Sequence, residues 1–354
     1  MENSFTRCPW RRQGGSAVSW LASNPPSTVA LFVAPIVLAL VGAVVGLIYV
    51  GIDRVLVARM QARIGPPLVQ PFRDVGKLMI KESIIPAGAL RWLFQFCPIM
   101  CVMGSAALLL YIPVFGQPAL FEGSGDAMLI VYLLTVPSLA LVAGGFASSS
   151  PYATVGAQRE MVVMIGYEFP LSVTIVAIAW RILQVTDANA FALGTMAQYP
   201  IWDLVGPLGF AGTLLLLVSL IAVTPGELGR IPFDLAEAET ELAGGLLVEY
   251  SGRNLALFYI GNAIRGFAVL SLVVALFFPY GIGAAAGLTS VAAIAIADGA
   301  FFLFKVFLVM FVSVAVVRSA MARFKVNQAS VFYLMIMTIV SLVGLLLIWA
   351  DMAL

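Results

Sequence analysis

The chain has 354 residues, 62% of them hydrophobic and only 10% charged, with a formal net charge of +1. A mean hydropathy of +1.04 excludes a water-soluble globule, whose apolar share is about 45–50%. The near-zero net charge gives no general attraction to nucleic acid, and with no histidine and no CxxC pair among Cys8, Cys97 and Cys101, no haem, zinc or iron–sulfur site is readable.

The apolar stretches reach about 20 residues and lack the alternation of an outer-membrane barrel. The expected fold is therefore an all-α polytopic membrane protein, with about eight transmembrane helices and an amphipathic helix on the cytoplasmic side. Residues 1–28 carry Arg7, Arg11 and Arg12 among Ser, Gly and Pro, without the apolar run of a secretory signal, and read as a flexible tail. The remainder, 29–351, reads as one transmembrane domain. Its first span runs from Val29 to about Ile52, followed by spans near 93–115, 127–147, 160–182, 205–224, 255–278, 289–316 and 331–350.

The loops predicted at 51–92, 148–159, 225–254 and 317–330 hold 13 of the 19 basic residues, and the intervening loops hold none, so the positive-inside rule makes the former cytoplasmic. The tail arginines then lie outside, against the rule. In the first loop, Val75, Leu78 and Met79 recur at helical spacing against Arg73, Asp74, Lys77 and Lys81 across 73–82, the pattern of a helix lying in the membrane interface. Simple anchoring and a docking surface are both open readings of it.

Within the predicted spans, Glu160, Glu168, Arg265, Asp298 and Lys305 are expensive at bilayer depth and are expected to face a polar cavity or a counter-ion. Glu160 reads as a boundary residue; Glu168 and Lys305 read as deeper members of an ion path. Six of the 18 acidic residues fall between Glu227 and Glu249. Pro232 suits a helix's first turn, which would place Asp234, Glu237 and Glu241 on one face and Glu239 elsewhere. Like charges so close raise one another's pKa, a property suited to proton relay or partner contact, whereas a solvated acidic loop is the plain alternative.

Pro232-Phe-Asp-Leu-Ala-Glu-Ala-Glu-Thr-Glu-Leu242 with Glu249-Tyr250 resembles the signature of subunit 1 of NADH:quinone oxidoreductase (respiratory complex I) and its hydrogenase-linked relatives. Asp53-Arg54, Met60-Gln-Ala-Arg-Ile-Gly-Pro66, Gln70-Pro71, Tyr152-Ala153, Gly156-Ala-Gln-Arg159, Tyr167-Glu168, Arg318 and Arg323-Phe324 are similar to further motifs of that family, spanning residues 50 to 330. Two departures stand out. Gly65-Pro-Pro-Leu-Val-Gln-Pro71 is contracted relative to quinone-reducing members and resembles the branch in energy-converting membrane-bound nickel–iron hydrogenases and formate hydrogenlyases. Ala322-Arg-Phe-Lys-Val-Asn-Gln328 lacks a proline and an acid of the quinone pattern.

The resemblance implies a membrane anchor and coupling subunit in the cytoplasmic membrane of a prokaryote. It would sit between the hydrogenase large and small subunits of a cytoplasmic arm and antiporter-like membrane subunits, binding no cofactor itself while the partners carry the nickel–iron site and iron–sulfur clusters. It implies an acidic path for H⁺ or Na⁺ through Glu168, Glu237, Glu239, Glu241 and Glu249. Arg54, Arg59, Arg63, Asp74, Lys77, Lys81, Arg230 and Phe233 would face the arm or its cavity. The alternative within the family is a quinone site enclosed by the first and fifth loops. An autonomous secondary transporter would need inverted repeats, which the sequence does not display.

Overall fold

The computed structural model describes residues 28–121, 126–185, 189–283 and 290–353; residues 1–27 of the predicted tail lie outside it. In chain order the main helices are α1 (Thr28–Met60), α2 (Gln70–Ile80), α3 (Arg91–Tyr111), α4 (Asp126–Ala147), α5 (Pro151–Leu183), α6 (Pro207–Glu227), α7 (Gly252–Phe277), α8 (Val291–Ala320) and α9 (Val326–Ala353). All but α2 are long and apolar enough to cross a bilayer. Pro151 and Pro207 open their helices, where a missing N–H costs nothing. Pro98, Pro137 and Pro170 lie inside spans, and each leaves the carbonyl four residues earlier without its N–H; the one Pro98 frees, on Phe94, accepts instead from the Tyr250 hydroxyl at 3.2 Å.

The most deeply buried span is α7, which packs against α1, α2, α3 and α8, while α5, α6 and α9 form a second group beside it. Small residues bring these helices close. A Cβ on Gly46 of α1 would collide with the Ala263 carbonyl of α7, and Gly212 of α6 and Gly344 of α9 face each other backbone to backbone. Successive spans alternate in direction, so the first loop, the acidic stretch and the α4–α5 and α8–α9 connections share one end of the bundle, called here the basic end.

Several expected boundaries move. Helix α1 continues past residue 52 to Met60 and carries Asp53, Arg54 and Arg59 with it. The connection expected at 148–159 is helical from Pro151. Helix α2 runs from Gln70 to Ile80; Leu78 is buried, but Met79 is 46% exposed. The largest correction concerns the acidic stretch. No continuous helix follows Pro232: the backbone is irregular from Leu228 to Ala238, then makes one helical turn at Glu239–Leu242 and a tight turn at Gly245–Leu247. Phe233, Leu235, Ala236 and Ala238 are all buried, a near-continuous run no helical face could place inside. Its backbone is satisfied instead by contacts such as Leu246 N–H to the Ala236 carbonyl and Phe324 N–H to the Pro232 carbonyl. Asp234, Glu237 and Glu241 therefore do not share a helix face.

Candidate functional site

At the basic end, α1, α2, α7 and the acidic stretch enclose a cavity of about 150 Å³. Asp53, Arg54, Asp74, Glu160, Arg230 and Glu237 line it, and Arg265 reaches its inner wall. Most of the ionic groups around it are tied in pairs. Arg54 binds Asp74 at 3.0 Å, whose other oxygen accepts from Gln70 at 2.9 Å. Arg318 of α8 binds Asp53 at 2.7 Å, Arg323 binds Asp234 at 2.9 Å, and Arg159 binds Glu241 at 2.5 Å. The Asp234 and Glu241 pairs fasten the acidic stretch to the α8–α9 connection and to α5, the Asp74 pair fastens α2 to α1, and the Asp53 pair joins α1 to α8.

Behind the cavity lies a wholly buried ion pair. Glu227, the last residue of α6, and Arg265, midway along α7, meet at 2.8 Å and are 2% and 3% exposed. Arg265 also donates to the Tyr167 hydroxyl at 3.2 Å, which lies 3.2 Å from the Ser138 hydroxyl. One hydrogen-bonded chain thus joins α6, α7, α5 and α4. Three carboxylate oxygens, Glu227 Oε2, Glu168 Oε1 and Asp53 Oδ1, are buried without a hydrogen-bond partner among the described residues. An orphaned buried acceptor is costly, and a proton or a water molecule relieves it.

Glu237 stands at the cavity wall, outside the spans. Burial, reinforced by the negative charge of Asp234 and only partly offset by Arg230, pushes its carboxyl up to about 7. It can therefore exchange a proton near neutral pH.

The residues expected from sequence divide clearly. Asp74, Arg54, Arg230, Asp234 and Glu237 come together around the cavity, and Glu168 lies on α5 one residue beyond Tyr167. Glu241 is drawn to Arg159, Glu239 is exposed on its short turn, and Glu249 is half-buried; none of these three lines the cavity. Arg59, Arg63, Lys77 and Lys81 are exposed at the basic end. Phe233 lines the cavity, but it is 4% exposed and packs on Phe324, Phe332 and Tyr333 at 4.5–5.4 Å, so it offers little surface to a partner. Lys305 does not reach the carboxylates. Its ammonium binds the carbonyls of Phe278 and Tyr280 at 2.6 and 2.8 Å, beyond the opposite end of α7, as a cation capping a helix C-terminus does.

Sequence reasoning missed Glu227 and undervalued Glu160, which is 8% exposed and faces the cavity. Arg265 was the available signal, since a lone cation inside an apolar span demands a buried acid. Among the described residues, no three of His, Cys, Asp and Glu converge as a metal site requires.

Eight apolar spans carrying titratable groups from a cavity into the bundle define a multi-pass, all-α membrane protein with a buried ionic row. The chain belongs to the NADH dehydrogenase subunit 1 family: residues 32–349 match the family model described as NADH dehydrogenase. It is 34% identical to hydrogenase-4 component C of Escherichia coli (strain K12) over 238 residues, 66% of this chain and 71% of that one. It is 36% identical to the H subunit of the NADH-quinone oxidoreductase of Geobacillus kaustophilus (strain HTA426) over 271 residues, 73% and 77% respectively. A chain in the solved structure of the membrane-bound sulfane sulfur reductase, an archaeal respiratory membrane complex, superposes with a TM-score of 0.76 at 25% identity, covering 90% of this chain and 99% of that one. This protein is a membrane subunit of a complex-I-like oxidoreductase that works beside other membrane subunits.

Proposed function

We propose that this chain anchors the cytoplasmic arm of a membrane-bound nickel–iron hydrogenase in a prokaryotic cytoplasmic membrane and couples its electron transfer to H⁺ or Na⁺ translocation. The observation that carries the coupling role is the buried row behind the cavity, Glu227 with Arg265, flanked by Glu160 and Glu168 and fronted by Glu237. Electron transfer in the arm alters charge or geometry above the acidic stretch. Glu237 takes up or releases a proton at the cavity, and Glu160, Glu227 and Glu168 carry the change inward. Arg265 holds the row charge-compensated, so that adding or removing a proton does not strand a bare charge in the bundle. Glu239, Glu241 and Glu249 form the outer approach.

The hydrogenase assignment is supported by the likeness to hydrogenase-4 component C and the contracted Gly65–Pro71 segment. On this reading the hydrogenase large and small subunits and antiporter-like membrane subunits are the partners; the nickel–iron site and iron–sulfur clusters reside in the arm and none in this chain. The quinone-reductase alternative is favoured by the likeness to the Geobacillus kaustophilus NADH-quinone oxidoreductase protein.

Metal and subunit analysis of the purified complex separates the two. Nickel with a hydrogenase large subunit is expected, and quinone-dependent turnover without nickel overturns the assignment. Glu237→Gln and Glu168→Gln are expected to assemble and to transfer electrons while translocating several-fold fewer ions per electron. Wild-type translocation in both removes the relay.

A further inference from the structure

Tyr333 has no place in the carboxylate row, yet it touches the acidic stretch, α5 beside Glu168 and the end of α6 beside Glu227. It sits in a π-helical turn of α9, Phe332–Met337, and is fully buried. Such turns insert a residue into a helix and recur at functional sites. Here the turn is fixed locally by the Thr338 hydroxyl, which donates to the Tyr333 carbonyl at 2.9 Å.

On one side the Tyr333 ring packs at 4.5 Å on Phe233 of the acidic stretch, within a cluster that includes Phe324 and Phe332. That stretch is also tied to the α8–α9 connection by Arg323–Asp234 at 2.9 Å and by Phe324 N–H to the Pro232 carbonyl at 3.0 Å. The acidic stretch and the start of α9 are therefore fastened to each other. On the other side Tyr333 wedges between two helices at their glycines. A Cβ on Gly166 of α5 would lie 3.1 Å from its Cβ, and one on Gly226 of α6 would collide with its hydroxyl. That hydroxyl donates to the Ala222 carbonyl at 3.2 Å. Glu227 follows Gly226 directly, Glu168 lies two residues beyond Gly166, and each has one unpartnered buried oxygen. The ring also meets Tyr167, which receives the Arg265 hydrogen bond, edge-on at 6.2 Å.

We infer that Tyr333 is a positioning residue that transmits displacement of the acidic stretch to the end of α6, and so sets the Glu227 carboxylate against Arg265 and toward Glu168. Its ring takes up movement from Phe233, and its hydroxyl holds the Ala222 carbonyl five residues before Glu227, in a helix end that Pro225 leaves short of one backbone hydrogen bond. The inference rests on the proposed carboxylate path.

The test uses Tyr333→Phe, Tyr333→Leu and Glu227→Gln in the intact membrane complex in sealed vesicles, reading ions translocated per electron across pH 6 to 8. Tyr333→Phe keeps the ring and loses the hydroxyl link. It is expected to assemble and turn over as wild type while ions per electron fall at least two-fold and the pH dependence of that ratio shifts. Tyr333→Leu, lacking the contact to Phe233 as well, is expected to fall further, toward Glu227→Gln. If Glu227→Gln loses translocation and both Tyr333 variants keep the wild-type ratio and pH profile, the positioning role is wrong and the path stands. If Tyr333→Leu fails to assemble, the ratio in Tyr333→Phe decides. If Glu227→Gln translocates as wild type, path and positioning role fall together.

Discussion

Arg265 lies midway along a 26-residue apolar helix, and its charge is tolerable only because Glu227 and Tyr167 surround it. Desolvating both members of such a pair roughly cancels their attraction, so the pair adds little stability; removing one member strands the other. Arg265→Met should therefore cost about 3–5 kcal/mol, read as a lower melting temperature or failed assembly. Adding Glu227→Gln should recover most of the loss, because the stranded group is then neutral. A single variant as stable as wild type would mean that Glu227 is not left as a buried charge when Arg265 is removed. Glu237 makes a second prediction at this scale. Its carboxyl holds its proton up to about 7, above an ordinary carboxylate, so the folded protein binds that proton more tightly than the unfolded chain. The associated stabilisation is complete below the ordinary carboxylate range and is lost as pH rises through about 7. Wild type should lose melting temperature relative to Glu237→Gln between pH 5 and pH 8. A carboxyl C=O infrared band with a midpoint near 7 should be absent in that variant.

At the scale of elements, the close approach of α1 to α7 depends on Gly46, whose added Cβ meets the Ala263 backbone carbonyl, which cannot swing aside as a side chain can. Gly46→Ala should cost about 1–3 kcal/mol as the helices separate. Gly76 in α2 is the contrasting case, with nothing within 4 Å of an added Cβ, and Gly76→Ala should be neutral or stabilise by up to about 1 kcal/mol through helix propensity. Thermal unfolding of the two variants checks both. The same contrast explains what the sequence could reveal. Spans declare themselves because lipid imposes one rule on about 20 consecutive residues. The acidic stretch is shaped by partners about 90 residues away, Asp234 by Arg323 and Phe233 by Phe324, and no local pattern encodes that. Its i, i+3, i+7 carboxylates fitted a helix face that burial of Phe233, Leu235, Ala236 and Ala238 forbids. Glu160 looked like a boundary residue only because the 33-residue length of α5 was not apparent from apolar content.

For the whole molecule, the cavity, the paired carboxylates and the exposed cations Arg59, Arg63, Lys77 and Lys81 all gather at the basic end, while Lys305 and Asp298 secure the backbone at the other. The positive-inside rule, applied to the 13 of 19 basic residues at or near the basic end, predicts that it faces the cytoplasm. Around those cations Ile64, Ile80 and Trp92 are 100%, 89% and 70% exposed, so apolar and basic surface lie side by side where the proposed arm would seat. A cysteine at Lys77 tests orientation and docking together, in a Cys8→Ser background where Cys97 and Cys101 are fully buried. A membrane-impermeant maleimide should leave it unlabelled in right-side-out vesicles. In inverted vesicles the seated arm should protect it, and stripping the arm at high salt, which screens exposed charge pairs, should expose it. A cysteine at Ile282, 42% exposed at the far end, should show the reverse sidedness and no dependence on the arm. Labelling of Lys77→Cys in right-side-out vesicles would invert the topology. Equal labelling in inverted vesicles before and after stripping would move the docking surface away from α2.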